Sequence, residues 1–233
     1  MKYTLITGAS QGMGLLMAKK CATLKRNVLL ISLPNENLSN IAIEISNEFQ
    51  VSCHYFEIDL TLNDSAKKIF NWVKKNNFLV DFLINNAGFG GFGPFESYSS
   101  EYIENMLDLN VKATTKMTHY FIPELKKNAP SFILNNASMI ANFPCPYKSI
   151  YAASKVYVKY FTEALRIELK QYNVSVSLLQ PGATPTNDIV KNQIENGGFF
   201  ARLSVTAADQ VAAKAVMSTL NLSLIHISEP TRR

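Results

Sequence analysis

Tyr151 and Lys155, a tyrosine and a lysine four residues apart, have side chains that could exchange a proton with a substrate. In a helix this spacing places both side chains on one face. A phenol has an ordinary pKa of about 10 and is a poor acid–base catalyst at neutral pH. A nearby ammonium group favours the phenolate and lowers that pKa. The spacing alone is common in helices and carries little information, but together with the neighbouring motifs the pair predicts a phenol that donates a proton to a carbonyl oxygen.

The hydroxyl of Ser138 could donate a hydrogen bond to the same carbonyl oxygen. Ser138 lies just after a predicted strand, Ser131–Asn135, and ligands of open α/β sheets bind at the carboxyl ends of the strands. Two further predicted strands end in turns that contain glycine, Asn85-Asn86-Ala87-Gly88 and Gln180-Pro181-Gly182. We expect these strand ends to border one site.

The first predicted strand runs into a glycine-rich segment, Thr7-Gly8-Ala9-Ser10-Gln11-Gly12-Met13-Gly14, after which a helix begins. Glycine permits a positive φ and lets a ligand approach the backbone closely. The free N–H groups and the positive dipole end of a helix N-terminus suit a pyrophosphate. Because the motif opens a βαβ pattern, it predicts a dinucleotide site rather than a plain turn. The bound cofactor would supply the hydride chemistry.

The choice between the two nicotinamide dinucleotides depends on the end of the second strand. An acidic residue about 20 positions after the glycine motif usually binds the 2′-hydroxyl of the ribose. Here that strand ends in Leu30-Ile31-Ser32-Leu33-Pro34, and the first acid is Glu36. The missing carboxylate removes a repulsion against a 2′-phosphate, yet no arginine is present to attract one. The sequence favours NADP on this ground and leaves NAD open.

Strands and helices alternate along the chain, which predicts a doubly wound parallel α/β sheet of three layers, the Rossmann fold. The predicted strands are Tyr3–Ile6, Asn27–Ser32, Ser52–Ile58, Phe82–Ile84, Ser131–Asn135 and Val174–Leu179. The predicted helices are Met13–Leu24, Asn37–Phe49, Asn63–Asn76, Ser99–Leu125 as one piece or two, Ile150–Gln171 and Ala207–Leu220.

Composition excludes several other classes of protein. A hydrophobic fraction of 47% is typical of a globular chain, and no run of about 18 apolar residues predicts a membrane span. The N-terminus does not resemble a signal peptide, so we expect a cytoplasmic protein. The net charge of +5 comes from scattered lysines and does not indicate nucleic-acid binding. Three distant cysteines favour neither a disulfide framework nor a metal site.

Together these motifs make the chain resemble the short-chain dehydrogenase/reductases, in their compact single-domain branch, from Lys2 to about Leu220. The glycine spacing and the chain length favour this branch over the extended one, which includes sugar-nucleotide epimerases. The resemblance implies an NAD(P)-dependent oxidoreductase that interconverts a carbonyl and an alcohol on a small or medium, apolar substrate. It also implies a homo-oligomer.

The resemblance further implies roles for individual residues. Asn110, Ser138, Tyr151 and Lys155 match the catalytic positions, where the asparagine supports a water leading to the lysine and the lysine also holds the nicotinamide ribose. The residues that would contact the cofactor are Gly8, Ser10, Gln11, Gly12, Met13, Gly14, Asp59, Leu60, Asn86, Ala87, Gly88, Tyr151, Lys155, Pro181, Gly182 and Thr186.

Two alternatives stay open from the sequence. A dinucleotide-binding sensor or scaffold without catalysis would predict a broken set of catalytic residues, whereas all four are present. The phenylalanine-rich segment Phe89–Phe95 either borders the substrate entrance or packs on the sheet as an ordinary apolar loop.

The last twelve residues, Leu222–Arg233, read LSLIHISEPTRR and are similar to the translation of a transposase-type sequencing adapter. We therefore expect one dinucleotide-binding domain at 1–221, truncated at its C-terminus, and a non-native tail at 222–233. On this interpretation the last strand is missing and the sheet ends at Val174–Leu179 with an open edge. The segment Thr184–Leu203 is predicted to form a mobile lid over the substrate.

Overall fold

The fold is described from a computed structural model, for residues 1–182, 207–221 and 227–228. The predicted lid and Thr186 lie outside the described residues.

The strands are short apolar runs rich in Val, Ile and Leu, the composition of strands that are covered on both faces. In β1 and β2 every residue after the first is buried, so successive side chains enter the core on opposite faces. The strands are β1 (Lys2–Thr7), β2 (Asn27–Ser32), β3 (Cys53–Glu57), β4 (Leu79–Asn85), β5 (Ser131–Asn136), β6 (Val174–Gln180) and β7 (Ile227–Ser228).

The helices connect consecutive strands and cover the sheet. They are α1 (Gly12–Thr23), α2 (Leu38–Phe49), α3 (Ser65–Lys75), α4 (Ser100–Leu107), α5 (Thr114–Lys127), α6 (Ser149–Leu169) and α7 (Ala208–Leu220). The predicted helix Ser99–Leu125 is divided into α4 and α5 by a π-helical turn, Asp108–Ala113.

Every pairing in the sheet is parallel, in the order β3-β2-β1-β4-β5-β6-β7. The order reverses between β1 and β4, which opens a crevice beyond the carboxyl ends of these strands. One apolar core joins the sheet to α1, α2 and α7, and a second joins its other face to α3, α5 and α6. The predicted doubly wound parallel fold of three layers is confirmed.

Buried polar side chains join the two central strands beneath the crevice. Asn85 and Asn135 are register partners of β4 and β5. Asn85 Nδ2 donates to Asn135 Oδ1 at 2.8 Å and to Thr118 Oγ1 at 2.9 Å. Asn135 Nδ2 donates to Thr162 Oγ1 at 2.9 Å. These amides therefore tie the sheet to α5 and α6.

The structure differs from the expected sheet at one edge. We expected the sheet to end at β6, but Ile227 and Ser228 pair with Leu179 and Gln180 as a two-residue parallel strand. An open strand edge presents unpaired N–H and C=O groups, which an extended segment can satisfy.

Candidate active site

The glycine-rich segment forms a tight turn between β1 and α1. Gly8 and Gly12 have φ values of +64° and +55°, in the region that favours glycine. A Cβ added to Gly14 would lie 2.0 Å from the carbonyl oxygen of Gly8, so no side chain fits there. No side chain caps the N-terminus of α1 at Gln11. The turn thus brings a bare backbone and free helix N–H groups together, which fits a pyrophosphate.

Two further predicted contact residues in this turn differ in exposure. Met13 is buried in the core and Gln11 is exposed. Only the backbone of Met13 could face a ligand. The N–H of Ala9 donates to the carbonyl oxygen of Ile31 at 3.1 Å. This bond fixes the turn against the end of β2.

Asn86 joins the turn after β4 to the glycine-rich turn. Its Nδ2 donates to the carbonyl oxygens of Thr7 and Gly8 at 3.0 and 3.2 Å. The Thr7 hydroxyl oxygen accepts from the N–H groups of Asn86 and Ala87 at 3.0 and 3.1 Å. The structure thus places Asn86 and Ala87 directly against the predicted cofactor turn.

Asn136 continues this connection to Lys155. Its Nδ2 donates to Asn86 Oδ1 at 2.9 Å, and its backbone carbonyl accepts from Lys155 Nζ at 2.9 Å. The Oδ1 atom of Asn136 is buried and has no partner among the described residues. Sequence reasoning missed Asn136, although its place at the end of β5, two residues before Ser138, was a usable signal.

The Lys155 side chain is only 5% exposed, and its burial lowers the pKa of the ammonium group to about 8. Burial disfavours the charged form because the surrounding protein solvates an ion less well than water does. At neutral pH the group still carries a positive charge for most of the time.

Tyr151 is half-buried, and its phenol lies beside the Ser138 side chain, which can form a hydrogen bond with it. Burial raises the pKa of the Tyr151 phenol, while this hydrogen bond lowers it. The phenol pKa is therefore higher than an ordinary tyrosine's, whereas the sequence predicted a lower one. The nitrogen of Lys155 is bonded to Asn136 and lies 5.8 Å from the Tyr151 ring centroid, so burial outweighs its charge. A second ammonium group, that of Lys148, lies 5.9 Å from the same centroid and was missed.

Asn110 lies in the π-helical turn and is 1% exposed. Its Oδ1 accepts from the N–H of Phe89 at 3.0 Å, and its Nδ2 donates to the carbonyl oxygen of Phe89 at 2.9 Å and to Ser154 Oγ at 3.0 Å. A Cβ added to Gly88 would lie 2.8 Å from Asn110 Oδ1 and 3.3 Å from Lys155 Nζ. Asn110 and Lys155 therefore meet around Gly88. The side chain of Asn110 holds the backbone of Phe89 in place.

The turn after β6 also reaches the site. The carbonyl oxygen of Pro181 accepts from the N–H of Met139 at 3.0 Å, and Gln180 Nε2 donates to the carbonyl oxygen of Ser138 at 3.4 Å. Pro181 and the adjoining Gly182 thus lie beside the segment that carries Ser138.

Asp59 and Leu60 follow β3 at the far end of the described crevice. Asp59 Oδ1 accepts from the N–H and the hydroxyl of Thr61, both at 2.8 Å, so the carboxylate stabilises its own turn. The side chain of Leu60 is buried in the core. Only the backbone of Leu60 could therefore face an adenine.

Glu36 lies at the end of β2, where the sequence indicated no carboxylate. Its Oε2 accepts from Ser10 Oγ at 2.5 Å and also from Ser32 Oγ. Asn35 and Asn37, on either side of Glu36, have φ values of +67° and +58°, and asparagine tolerates this region better than most residues. These two conformations turn the loop back on the strand. The pair of asparagines was the signal that could have revealed it.

The phenylalanine-rich segment lies beside the candidate catalytic tyrosine. A Cβ added to Gly90 would lie 3.0 Å from the Tyr151 ring. The N–H of Gly93 donates to the carbonyl oxygen of Tyr147 at 2.9 Å, and the Phe92 and Tyr147 ring centroids are 5.5 Å apart. Phe92 is 64% exposed. Of the two open interpretations, the structure therefore favours a segment that borders the entrance.

Among the described residues there is no cluster of three or more side chains that could hold a metal ion. Within the same part of the chain, no helix is both long enough and apolar enough to cross a membrane.

A family model described as short chain dehydrogenase matches residues 2–198. The chain belongs to the short-chain dehydrogenase/reductase family. The predicted family is therefore confirmed, and with it the predicted enzyme class, an oxidoreductase acting on CH–OH and C=O groups.

Similar proteins agree with this assignment. An uncharacterized oxidoreductase of Staphylococcus epidermidis is 25% identical over 232 residues, which cover 100% of this chain and 96% of that protein. A probable short-chain type dehydrogenase/reductase of Helicobacter pylori is 28% identical over 229 residues, covering 98% and 81%. The structure of a short-chain dehydrogenase from Sphingobium yanoikuyae in complex with NADPH aligns with a TM-score of 0.82 at 26% identity, covering 94% and 84%.

Proposed function

We propose that this short-chain dehydrogenase interconverts a carbonyl and an alcohol with a nicotinamide dinucleotide, using Tyr151 as the general acid and base. One observation carries the proposal: Ser138, Tyr151 and Lys155 meet beyond the strand ends, and hydrogen bonds connect Lys155 through Asn136 and Asn86 to the glycine-rich turn. Proton transfer and hydride transfer need this proximity, because both must reach the same carbonyl group.

The dinucleotide would be held by the bare turn from Gly8 to Gly14 and by the segments of Asn86–Gly88 and Pro181–Gly182. When bound, it would supply or accept the hydride. The NADPH complex of the Sphingobium dehydrogenase supports NADP for this chain as well. The position of Glu36 supports NAD.

The residues of the site divide the remaining work. Ser138 orients the carbonyl oxygen, and Tyr151 donates its proton to that oxygen. The raised pKa of Tyr151 keeps the phenol protonated at neutral pH, which suits reduction. The resulting phenolate needs a nearby cation, and Lys155, with a pKa of about 8, supplies it. Asn110 positions the backbone of Phe89 beside this group.

Exposed aromatic side chains on and around the segment that contacts Tyr151 through Gly90 support an apolar substrate of small or medium size. Phe92, Phe95 and Tyr147 are all exposed. Such rings offer a large apolar surface against which an apolar substrate can be buried. Expectations from the sequence that remain proposals are a cytoplasmic location, a homo-oligomer and the absence of nucleic-acid partners.

A non-catalytic sensor or scaffold is the weaker alternative, since the four catalytic positions are intact and Lys155 is buried beside Tyr151. The test follows the absorbance of reduced cofactor over a panel of ketones, with wild type, Tyr151→Phe and Tyr157→Phe. Tyr157 lies on the same helix, 40% exposed, with its hydroxyl 2.9 Å from Thr115 Oγ1. We expect Tyr151→Phe alone to lose activity, by roughly 10²-fold or more. Equal turnover by all three proteins would exclude the proposed acid.

A further inference from the structure

We propose that the hydroxyl of Tyr102, on α4, holds Gly90 against the ring of Tyr151 and thereby sets the orientation of the phenol that exchanges the proton. The inference rests on the proposed function, because it assumes that Tyr151 is the general acid and base. Tyr102 and Gly90 are positioning residues, since they act through Tyr151 and not on the reacting atoms.

The first step is the contact between Gly90 and the ring. A Cβ added to Gly90 would lie 3.0, 3.1 and 3.2 Å from Cδ2, Cε2 and Cγ of Tyr151. Three nearly equal distances to consecutive ring atoms place this Cβ over the face of the ring and not beyond its edge. The ring therefore packs on bare backbone, and any shift of Gly90 changes the space in which the ring can turn.

The second step is that the backbone on both sides of this contact is held. The N–H and the carbonyl oxygen of Phe89 are bonded to the Asn110 side chain at 3.0 and 2.9 Å. The carbonyl oxygen of Gly90 accepts from the Tyr102 hydroxyl at 3.3 Å. Two side chains from different elements, the π-helical turn and α4, thus fix the position of Gly90.

The third step is that Tyr102 is itself fixed. Its N–H donates to Ser99 Oγ at 3.2 Å, at the beginning of α4. Its ring is stacked on that of Tyr98, with centroids 5.0 Å apart and planes at 3°, and meets the Phe89 ring edge to face at 5.5 Å. Aromatic pairs favour both arrangements. The hydroxyl therefore reaches Gly90 from a defined place.

The fourth step is that packing, and not backbone conformation, requires glycine at both positions. Neither Gly90 nor Gly91 has a positive φ. A Cβ on Gly90 would press on the Tyr151 ring, and a Cβ on Gly91 would collide with the Tyr102 hydroxyl. The two glycines thus allow the segment to lie between the two tyrosines.

The contact matters for the chemistry because the phenol must meet the substrate carbonyl at one place, beside Ser138. Tyr151 lies in the first turn of α6, and its ring can turn about its side-chain bonds. A misplacement of about 1 Å costs about 10²-fold in rate. Gly90 limits such a misplacement from one face of the ring, and the Tyr102 hydroxyl keeps Gly90 there.

The test follows ketone reduction by the full chain, with wild type, Tyr102→Phe, Gly90→Ala and Tyr157→Phe. Tyr102→Phe keeps the stacked ring and removes only the hydroxyl. Tyr157→Phe is the matched control, because it also removes one hydroxyl, which lies 2.9 Å from Thr115 Oγ1. Thermal unfolding and the dissociation constant of reduced cofactor, from nicotinamide fluorescence, are measured for every variant.

Tyr102→Phe should lower kcat roughly fivefold, the scale of one ordinary hydrogen bond, with KM and the cofactor dissociation constant unchanged. Gly90→Ala pushes on the ring and should lower kcat about 10²-fold, whereas Tyr157→Phe should match wild type. In a Tyr151→Phe background, Tyr102→Phe should have no further effect, because the ring that it orients no longer carries a hydroxyl.

The inference is overturned by an unchanged kcat in Tyr102→Phe, by a loss confined to KM, or by an equal loss in the Tyr151→Phe background. A Gly90→Ala protein as active as wild type would also overturn it. If Tyr151→Phe loses activity while Tyr102→Phe keeps it, the proposed function stands and the inference fails. Full turnover by Tyr151→Phe would overturn both. If Gly90→Ala does not fold, Tyr102→Phe still decides the matter.

Discussion

Lys155 donates a hydrogen bond through Nζ to the backbone carbonyl of Asn136 at 2.9 Å, and the side chain of that asparagine is bonded to Asn86 in the turn after the neighbouring strand β4. The ammonium group is thus positioned by the end of β5. Because the backbone accepts the bond, no substitution at Asn136 removes the acceptor itself. Substitution there tests the alignment of the strand end instead.

Asn136→Ala is expected to lower both stability and activity. It leaves Asn86 Oδ1, which is partly buried, without the donor that it has in the structure, and the loss of a partner for such an acceptor costs at most about 1–3 kcal/mol. Chemical denaturation should show this loss, and kcat should fall more than KM rises, since the lysine shifts without leaving the site. The control is Asn47→Ala, an exposed position on α2. An unchanged kcat in a destabilised Asn136→Ala would mean that the asparagine is structural only.

The stability of the protein should depend on pH through Lys155. Its pKa in the folded state is lowered to about 8, so between that value and the pKa of the unfolded chain, about 10.4, the unfolded state binds more protons. The free energy that Lys155 contributes therefore rises as pH rises through this window, because the folded protein no longer buries a charge. Below pH 8 the free-energy cost of burying the charged Lys155 side chain is fully present.

The measurement compares free energies of unfolding of wild type and Lys155→Met at pH 7 and pH 10. The free energy of unfolding of Lys155→Met minus that of wild type should be larger at pH 7 than at pH 10. A difference between the two proteins that is independent of pH would show that Lys155 keeps an ordinary pKa.

Gly14→Ala should abolish dinucleotide binding and destabilise the fold. Its Cβ would lie 2.0 Å from the carbonyl oxygen of Gly8, so the turn or the helix must move, and forced overpacking of this kind costs about 1–3 kcal/mol or more. Gly93→Ala is the matched control, since its Cβ would meet nothing closer than 3.4 Å. Thermal unfolding and NADH fluorescence measure the two effects. Wild-type binding by Gly14→Ala would mean that the turn is not the phosphate site.

Asp81→Asn should be strongly destabilising. Asp81 is 2% exposed, and its carboxylate pairs with Arg26 and, at 3.6 Å, with Lys2. Removing one partner of a buried pair leaves the other charge uncompensated, at about 3–5 kcal/mol. Asp64→Asn removes one partner of an exposed pair with Lys68 and should change little. Denaturant midpoints of both variants provide the comparison, and equal midpoints would contradict the assignment of Asp81 to a structural pair.

The fold was predictable because it depends on patterns along the chain, whereas the catalytic roles of Asn110, Ser138, Tyr151 and Lys155 stay predictions that rest on the match to the family's positions. Strand and helix alternation determined the sheet, and glycine spacing determined the turn before α1. Glu36 was not predictable by counting positions, since its carboxylate reaches β2 through two residues of positive φ, Asn35 and Asn37. Periodicity carries no information on such a turn.

The direction of the Tyr151 pKa shift also could not be predicted from the sequence. Spacing placed Lys155 on the same helix face, but it gave neither the depth of burial nor the competing bond to Asn136. The sequence left one helix or two open over Ser99–Leu125, but it did not predict the π-helical turn at Asp108–Ala113 that divides them.

The paired amides of Asn85 and Asn135 have a consequence for how β4 and β5 find each other. The hydrogen bonds that each amide donates can form only when the strands and helices are in this one alignment. A slip of one residue would turn the amide of the slipped strand to the opposite face of the sheet and leave buried polar groups without partners. Apolar strands alone would tolerate neighbouring alignments more evenly. The two asparagines thus specify the register of the central strands, because they make one pairing far more stable than its neighbours. This register also aligns the two strand ends that form the site.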